Sequence, residues 1–110
     1  MLKKTDRITR TEFAAYFKTG KRHHFPHLTI IHQSAEQFFG SVVVSKKVAK
    51  KAVKRNVLRR RIYEMLRTGC IDQGVTGVWI ILLKPDFTSL SRKDAAKTIA
   101  AAIAAVLKKT

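Results

Sequence analysis

The stretch that decides the fold is VVVSKKVAKKAVKRNVLRRRIYEMLR, residues 42–67. It opens with a β-branched run at residues 42–44 and continues from Ser45 without Gly or Pro, so it predicts a strand that enters a long helix. Apolar residues then recur at i, i+4, i+7 and i+8, the spacing of a stripe that packs on a core. These residues are Leu58, Ile62, Met65 and Leu66.

The rest of this helix is cationic. A second set of residues repeats on roughly the opposite side: Asn56, Arg60, Tyr63 and Arg67. More cations surround them, namely Lys46, Lys47, Lys50, Lys51, Lys54, Arg55, Arg59 and Arg61, and Glu64 is the only acid in the stretch. Like charges four residues apart destabilise a helix. A bound polyanion would relieve that repulsion.

The whole chain is basic and has the size of one domain. Its 110 residues include 23 Lys and Arg against 7 Asp and Glu, which gives a net charge of +16. A hydrophobic fraction of 45% is ordinary for a folded protein, so residues 1–110 predict a single domain. We expect a nucleic acid as the partner rather than a membrane, because the basic helix has no broad apolar face to embed in lipid.

The sequence also favours a cytoplasmic protein. Cys70 is the single cysteine, so it cannot form an internal disulfide, and a reducing compartment fits. The first residues show no apolar segment of a signal peptide. The apolar runs at 78–83 and 99–107 are too short or too rich in Ala to span a bilayer.

A helix is predicted near the start of the chain. The pattern at residues 8–13 is a capping box with a hydrophobic staple, and a glycine supplies the stop; the residues concerned are Ile8, Thr9, Glu12, Phe13 and Gly20. Phe13 and Phe17 lie four residues apart on one face of this helix. Such aromatics either belong to the core or form a stacking platform for unpaired bases, and both interpretations remain open.

Strands are predicted on both sides of the basic helix. A short edge strand is expected before Pro26, and residues 27–33 and 38–45 are expected to form a hairpin. Residues 78–83 are apolar throughout and predict a central strand buried on both faces. A cap signal at residues 91–94 opens an Ala-rich last helix with Ile99, Ile103 and Leu107 inward. This order predicts an α+β fold, a two-layer α/β sandwich.

No catalytic site is recognisable in the sequence. The Asp and Glu residues are scattered along the chain, so the sequence predicts no pair of carboxylates that could hold a catalytic metal ion. No Gly-rich phosphate-binding loop and no Ser/His/Asp or Cys/His set is visible either. The four histidines lack a nearby cysteine, and their spacing does not converge on a metal; we expect solvated side chains at His23, His24, His27 and His32. The sequence therefore predicts a binding protein whose chemistry is supplied by its partner.

The same residues resemble the signature of the protein subunit of bacterial ribonuclease P. The resemblance lies in VVVSKKV at 42–48 and AVKRNVLRR at 52–60, and it extends to FAAYF at 13–17 and to Lys84-Pro85. It covers nearly the whole chain in order, and a long motif in a strand-to-helix context is a specific signal. It implies an α-β-β-β-α-β-α order with a left-handed βαβ crossover, opposite to the usual hand, in a ribosomal-protein-S5-domain-2-like fold.

The resemblance also implies two binding surfaces. The catalytic RNA subunit would contact the basic helix through Lys54, Arg55, Asn56, Arg59, Arg60 and Arg67. The single-stranded 5′ leader of precursor tRNA would lie in a cleft bordered by Phe13, Phe17, Ile31, Lys46 and Lys47. The RNA subunit would perform the endonucleolytic hydrolysis, with the Mg²⁺ held by the RNA and the substrate. The protein itself would carry no catalytic residue and no metal.

Two positions depart from the family pattern. Val57 and Tyr63 stand where relatives usually have Arg. The loss of two cations predicts up to about two fewer phosphate contacts and a weaker salt dependence of binding. Arg61, where many relatives are apolar, adds a cation close by.

Two other functions remain open from the sequence. A ribosomal or ribosome-assembly protein could use the same basic helix on rRNA, without needing a leader cleft at Phe13 and Phe17. A free-standing endonuclease could use His23, His24 or His27, in which case the protein would cleave RNA without a partner.

Overall fold

The computed structural model describes residues 10–109, and the predicted order of elements is confirmed. The helices and strands are α1 (Arg10–Thr19), β1 (Lys21–His24), β2 (Leu28–Gln33), β3 (Phe38–Val43), α2 (Ala52–Leu66), β4 (Gly77–Leu83) and α3 (Arg92–Lys109). A π-helical turn at Arg67–Ile71 prolongs α2, and a 3-10 helix at Pro85–Ser89 joins β4 to α3. Within the described range, no helix is both long enough and apolar enough to cross a membrane.

The four strands form one mixed sheet in the order β1-β2-β4-β3. β2 pairs antiparallel with β1 and β4, whereas β3 runs parallel to β4. The predicted hairpin of β2 and β3 is therefore wrong, because β4 lies between them. Its side chains from Val78 to Ile81 are fully buried, which favours a central position with a strand on each side. The parallel β3-α2-β4 unit requires a crossover; its left-handed sense stays a prediction.

The main core lies on one face of the sheet, under α2 and α3. Its buried cluster joins Trp79 and Ile81 of β4 to residues of α2 and α3, including Ile62, Leu66, Ile99, Ile103 and Val106. In the stripe predicted for α2, Ile62 and Leu66 are buried, while Leu58 and Met65 are half-buried.

The inward side of α3 was predicted correctly except at one position. Ile99 and Ile103 are buried, but Leu107 is 41% exposed and Val106 is fully buried in its place. With 3.6 residues per turn, residue 106 lies about 20° from Ile99 around the helix axis and residue 107 about 80°. The cap signal is confirmed, since the Asp94 N–H donates to Ser91 Oγ at 3.1 Å.

The basic helix begins later than the sequence suggested. α2 starts at Ala52, and residues 44–51 form a loop in which the N–H groups of Val48 and Ala49 both donate to the Ser45 carbonyl. Cations in a first helical turn oppose the helix dipole, which disfavours a helix through these lysines. Arg55 stabilises the loop instead, because its Nη1 donates to the carbonyls of Ala49 at 3.0 Å and Lys50 at 2.7 Å.

The end of this helix also differs from the prediction. The sequence predicts that this helix ends at Thr68-Gly69, but both residues lie inside the π-helical turn that continues to Ile71. The chain reverses at Gly74 and enters β4 at Gly77, where φ is 71° and 105°. These left-handed conformations favour glycine.

α1 lies against the other face of the sheet. The predicted N-cap Thr9 and staple residue Ile8 fall outside the described residues, whereas the stop is confirmed. The Gly20 N–H donates to the Tyr16 carbonyl at 2.8 Å, and a Cβ at Gly20 would lie 2.5 Å from Ile31 Cγ2. Glycine is therefore needed where the chain passes from α1 into β1.

Candidate nucleic-acid interface

The sheet face that carries α1 is only partly covered. A small buried cluster of Ile31, Val78 and Ile80 lies there. Half-buried apolar residues pack around this cluster: Phe13, Tyr16, Phe17, Phe39, Val43 and Leu82. The strand register puts Phe39 beside Val78 and pairs Val43 with Leu82. An apolar strip of sheet thus continues beyond the edge of α1 and stays accessible. We call this side of the sheet the half-open face.

Phe13 and Phe17 form the edge of α1 along this strip. Their ring centroids are 5.7 Å apart with the ring planes tilted by 32°. Both side chains are half-buried, so each contributes to packing and keeps part of its ring accessible. The two interpretations left open by the sequence, core and stacking platform, are compatible here.

Arg22 lies beside this edge and was not among the site residues predicted from the sequence. Its guanidinium carbon lies 4.4 Å from the centroid of the Phe17 ring, and its Nη2 donates to the Phe17 carbonyl at 3.2 Å. The contact is a cation–π interaction and also satisfies a carbonyl in the last turn of α1. Successive side chains of a strand point to opposite faces of the sheet, which was the signal that could have placed Arg22. Arg22 pairs with Ile31 and therefore lies on the same face as Ile31.

The remaining residues of the predicted cleft occupy different depths. Ile31 is 1% exposed beneath α1, so it supports the cleft rather than offering a surface to a ligand. Lys46 and Lys47 are exposed in the turn after β3, three and four residues beyond Val43 of the half-open face. The structure therefore joins Phe13, Phe17 and Ile31 in one packed unit and puts the two lysines at the end of β3.

The predicted RNA-contacting residues of α2 differ in exposure. Lys54, Asn56 and Arg60 are exposed, and Arg59 is half-buried. Arg59 Nη2 donates to Asn56 Oδ1, which occupies the amide oxygen. The amide nitrogen of Asn56 remains a donor, so this part of α2 presents donors to a ligand rich in acceptors.

Arg55 and Arg67, the two other residues of the predicted RNA-contacting set, form hydrogen bonds or ion pairs with groups of this protein. Arg55 holds the loop before α2, as described above. Arg67 is paired with Glu64 and with Asp72, whose Oδ2 lies 3.2 Å from Arg67 Nη1. The hydrogen bond from Arg67 lowers the pKa of the Glu64 carboxyl to about 2 and raises the pKa of Arg67. The charge of Arg67 is thus largely offset by its own neighbours.

Tyr63 has a structural role. Its hydroxyl accepts a hydrogen bond from the Val42 N–H at 3.3 Å, and Val42 belongs to β3 at the edge of the sheet. An unpaired edge N–H is a liability that proteins commonly cover. Tyr63 therefore stabilises the edge of the sheet and is not part of the outer surface of α2.

The expectation of solvated histidines is wrong for two of the four. His23 and His32 are 4% and 8% exposed, because the pairing of β1 with β2 turns alternate residues toward the core. The His32 ring meets Trp79 edge-on, with ring centroids 4.6 Å apart. Burial lowers the pKa of His32, and the neighbouring His23 lowers it further.

His24 and His27 lie outside the core and apart from this pair. His24 Nδ1 is 3.2 Å from Thr29 Oγ1, and His27 Nδ1 is 3.2 Å from Asp86 Oδ2. Across residues 10–109, no three His, Cys, Asp or Glu side chains come close enough together to hold a metal ion. The histidines do not converge on one reacting centre.

Comparisons with known proteins agree on one family. The family model described as Ribonuclease P matches residues 2–107. The chain is similar to the ribonuclease P protein component of Microcystis aeruginosa, with 37% identity over 83 residues that cover 69% of this chain and 68% of that protein.

Solved structures show the same fold at low identity. A Staphylococcus aureus RNase P protein, a mutant with defective mRNA degradation activity, gives a TM-score of 0.81 at 17% identity over 94% of this chain and 89% of that chain. The RNase P protein from Thermotoga maritima gives 0.71 at 18% identity over 94% of this chain and 96% of that chain.

Proposed function

The chain belongs to the ribonuclease P protein family, and we propose that it works as the protein component of this ribonucleoprotein in tRNA 5′ maturation. It would bind the catalytic RNA through α2 and the 5′ leader of precursor tRNA along the half-open face of the sheet. The observation that carries the proposal is the presence, on one small domain, of a cationic helix and a separate half-covered face with accessible aromatic rings.

We assign the contact with the catalytic RNA mainly to the exposed part of α2. Lys54, Asn56 and Arg60 are exposed there and Arg59 is half-buried beside Asn56, and these donors suit phosphates and 2′-hydroxyl groups. Arg55 and Arg67 would contribute less, because each already binds groups of this protein. We therefore expect the cations of this helix to differ in their contribution to RNA binding.

We assign the leader to the strip beside α1. Unpaired bases stack on aromatic side chains whatever their sequence, and Phe13 and Phe17 offer partly exposed rings. Lys46 and Lys47 would hold the leader phosphates, and Ile31 would support the cleft from below. Arg22 belongs to the same surface and would add a cation at its rim.

The chemistry would belong to the RNA subunit. We propose that Mg²⁺ is held by that RNA and the substrate, and that this chain aids catalysis by binding and orienting the leader and by reducing the repulsion between two polyanions. No residue of this chain is assigned a catalytic role. We expect the assembly to work in the cytoplasm.

A binding experiment tests the choice of RNA. The protein is titrated against bacterial ribonuclease P RNA and against an rRNA fragment of equal length over a series of salt concentrations. Arg60→Ala should weaken binding to ribonuclease P RNA and lower the salt slope by about one. Lys97→Ala, which removes an exposed cation from α3, is the matched control and should change little. Equal affinity for both RNAs would favour the ribosomal alternative.

The free-standing endonuclease receives no support from the arrangement of its candidate residues. His23 is buried toward the core, while the neighbouring His24 is exposed on the other side of β1. The two rings cannot act together on one phosphate. Cleavage by the protein alone, lost on His24→Ala or His27→Ala, would overturn this conclusion.

A further inference from the structure

A groove lies between α2 and the segment that joins β4 to α3. Its volume is about 600 Å³, within the range of ligand sites of about 300–1,000 Å³. The floor is apolar and is made by Leu58, Ile62, Met65, Phe87 and Leu90. The groove faces α3, so it is distinct from the half-open sheet face beside α1.

One wall of the groove exposes apolar surface that folding leaves uncovered. Val53 is 73% exposed and Val57 is 37% exposed, and both line the groove. Neither valine is a strong helix former, and Val53 in particular gains little from burial in this protein. Contiguous exposed apolar surface next to a groove is typical of a binding site.

The rim of the groove is cationic. Among the described residues, its lining includes Lys50, Lys51, Lys54, Arg61 and Arg92 and contains no Asp or Glu. Aromatic bases need apolar or π-rich walls, and their phosphates need cations at the mouth. A second copy of this chain is a poor occupant, because a symmetric contact would bring the same cations together on molecules of net charge +16.

We propose that this groove takes an unpaired nucleotide of the catalytic RNA, with its base on the apolar floor and its phosphates on the rim cations. The proposal rests on the proposed function, since it makes the groove a second contact of the same RNA on the α3 side of α2. Lys54 is shared by the two contacts, because it lines the groove and belongs to the exposed cations of α2.

Site-directed crosslinking with bacterial ribonuclease P RNA tests the proposal. Cys70 is fully buried and burial raises the pKa of its thiol to about 11, so an added surface cysteine can be modified selectively with a photoreactive group. Thr88→Cys puts the group on the groove wall opposite α2, Ala52→Cys puts it on the exposed start of α2, and Ala101→Cys puts it on the outer side of α3.

The positions of the crosslinks are read by primer extension. The expected result is crosslinking from Thr88→Cys to one or a few unpaired nucleotides, crosslinking from Ala52→Cys elsewhere on the RNA, and none from Ala101→Cys. Crosslinking from Ala52→Cys alone would overturn the groove assignment and leave the proposed function standing. Crosslinks from Thr88→Cys to paired nucleotides would also overturn it. No crosslink from any position would overturn both proposals.

An affinity measurement provides a second test. Thr88→Asp adds a carboxylate to the groove, and Ala101→Asp makes the same charge change on an exposed site of α3 outside it. We expect Thr88→Asp to weaken binding to ribonuclease P RNA about tenfold more than Ala101→Asp, equivalent to about 1.4 kcal/mol. Equal losses in the two variants would contradict the proposal.

Discussion

The proposed leader contact at Phe17 can be tested by removing its aromatic face while keeping its packing. Phe17→Leu leaves an apolar side chain over the cluster of Ile31, Val78 and Ile80, and swaps that nearly conserve volume cost less than about 1.5 kcal/mol of stability. The variant should therefore fold. What it loses is the π-face on which a leader base would stack.

The size of the effect follows from the surroundings of the ring. Stacking of a base on an aromatic side chain contributes about 1–3 kcal/mol. The Arg22 guanidinium already lies 4.4 Å from the Phe17 ring centroid, so one face is occupied and the lower end of that range applies. A loss of about 1 kcal/mol corresponds to about a fivefold weaker Kd.

The assay compares two substrates of the reconstituted holoenzyme. Kd is measured for precursor tRNA with a short unpaired leader and for the same tRNA without it. Phe17→Leu should lower the preference for the leader-bearing substrate about fivefold and leave the affinity for mature tRNA unchanged. Phe38→Leu makes the same chemical change in the main core and should not alter the preference. An unchanged preference in Phe17→Leu, or an equal loss for both substrates, would refute the reasoning.

Three further predictions concern residues that sequence patterns alone did not explain. Tyr63→Phe removes the acceptor of the Val42 N–H and should lower the free energy of unfolding by about 0.5–1.5 kcal/mol, seen as a lower urea midpoint at an unchanged m-value; an unchanged midpoint would contradict it. Because burial lowers the pKa of His32 below 6.5, the unfolded state binds more protons below that pH, so stability should fall as the pH drops below 6.5, by at most about 1.4 kcal/mol per pH unit for this group. Unfolding measured at pH 5.5 and 7.5 should show a smaller difference in His32→Gln than in the wild type, and an equal difference would refute the assignment. Cys70, with its pKa raised to about 11, should react with a thiol reagent only after unfolding, and rapid labelling of the native protein would contradict its burial.

Much of the fold could be predicted because the decisive signals are local. The β-branched run before α2, the apolar run of β4 and the cap at Ser91 each depend on neighbouring residues, and together they gave the correct order of elements. The pairing of β2 with β4 could not be predicted in the same way. It joins segments that are far apart in sequence, and the short connection between β2 and β3 favoured a hairpin that the sheet does not contain.

The sequence predicted which helix carries the cations of the candidate site, but it did not predict which of those cations bind groups of the protein itself. Counting cations identified α2, yet the sequence could not tell that Arg55 would bind the carbonyls of Ala49 and Lys50. The same limit applies to Arg67, which pairs with two carboxylates. The groove beside α3 was also missed, because its walls come from α2, the 3-10 helix and the start of α3, which only the tertiary structure brings together.

The most direct test of the central claim is cleavage of 5′-labelled precursor tRNA at low Mg²⁺ by a bacterial ribonuclease P RNA, with and without this protein. Protein alone is the control. We expect a single leader fragment when protein and RNA are combined and no cleavage by either one under these conditions. Tight binding of the RNA by the protein with no gain in cleavage would contradict the claim and favour an rRNA-binding role.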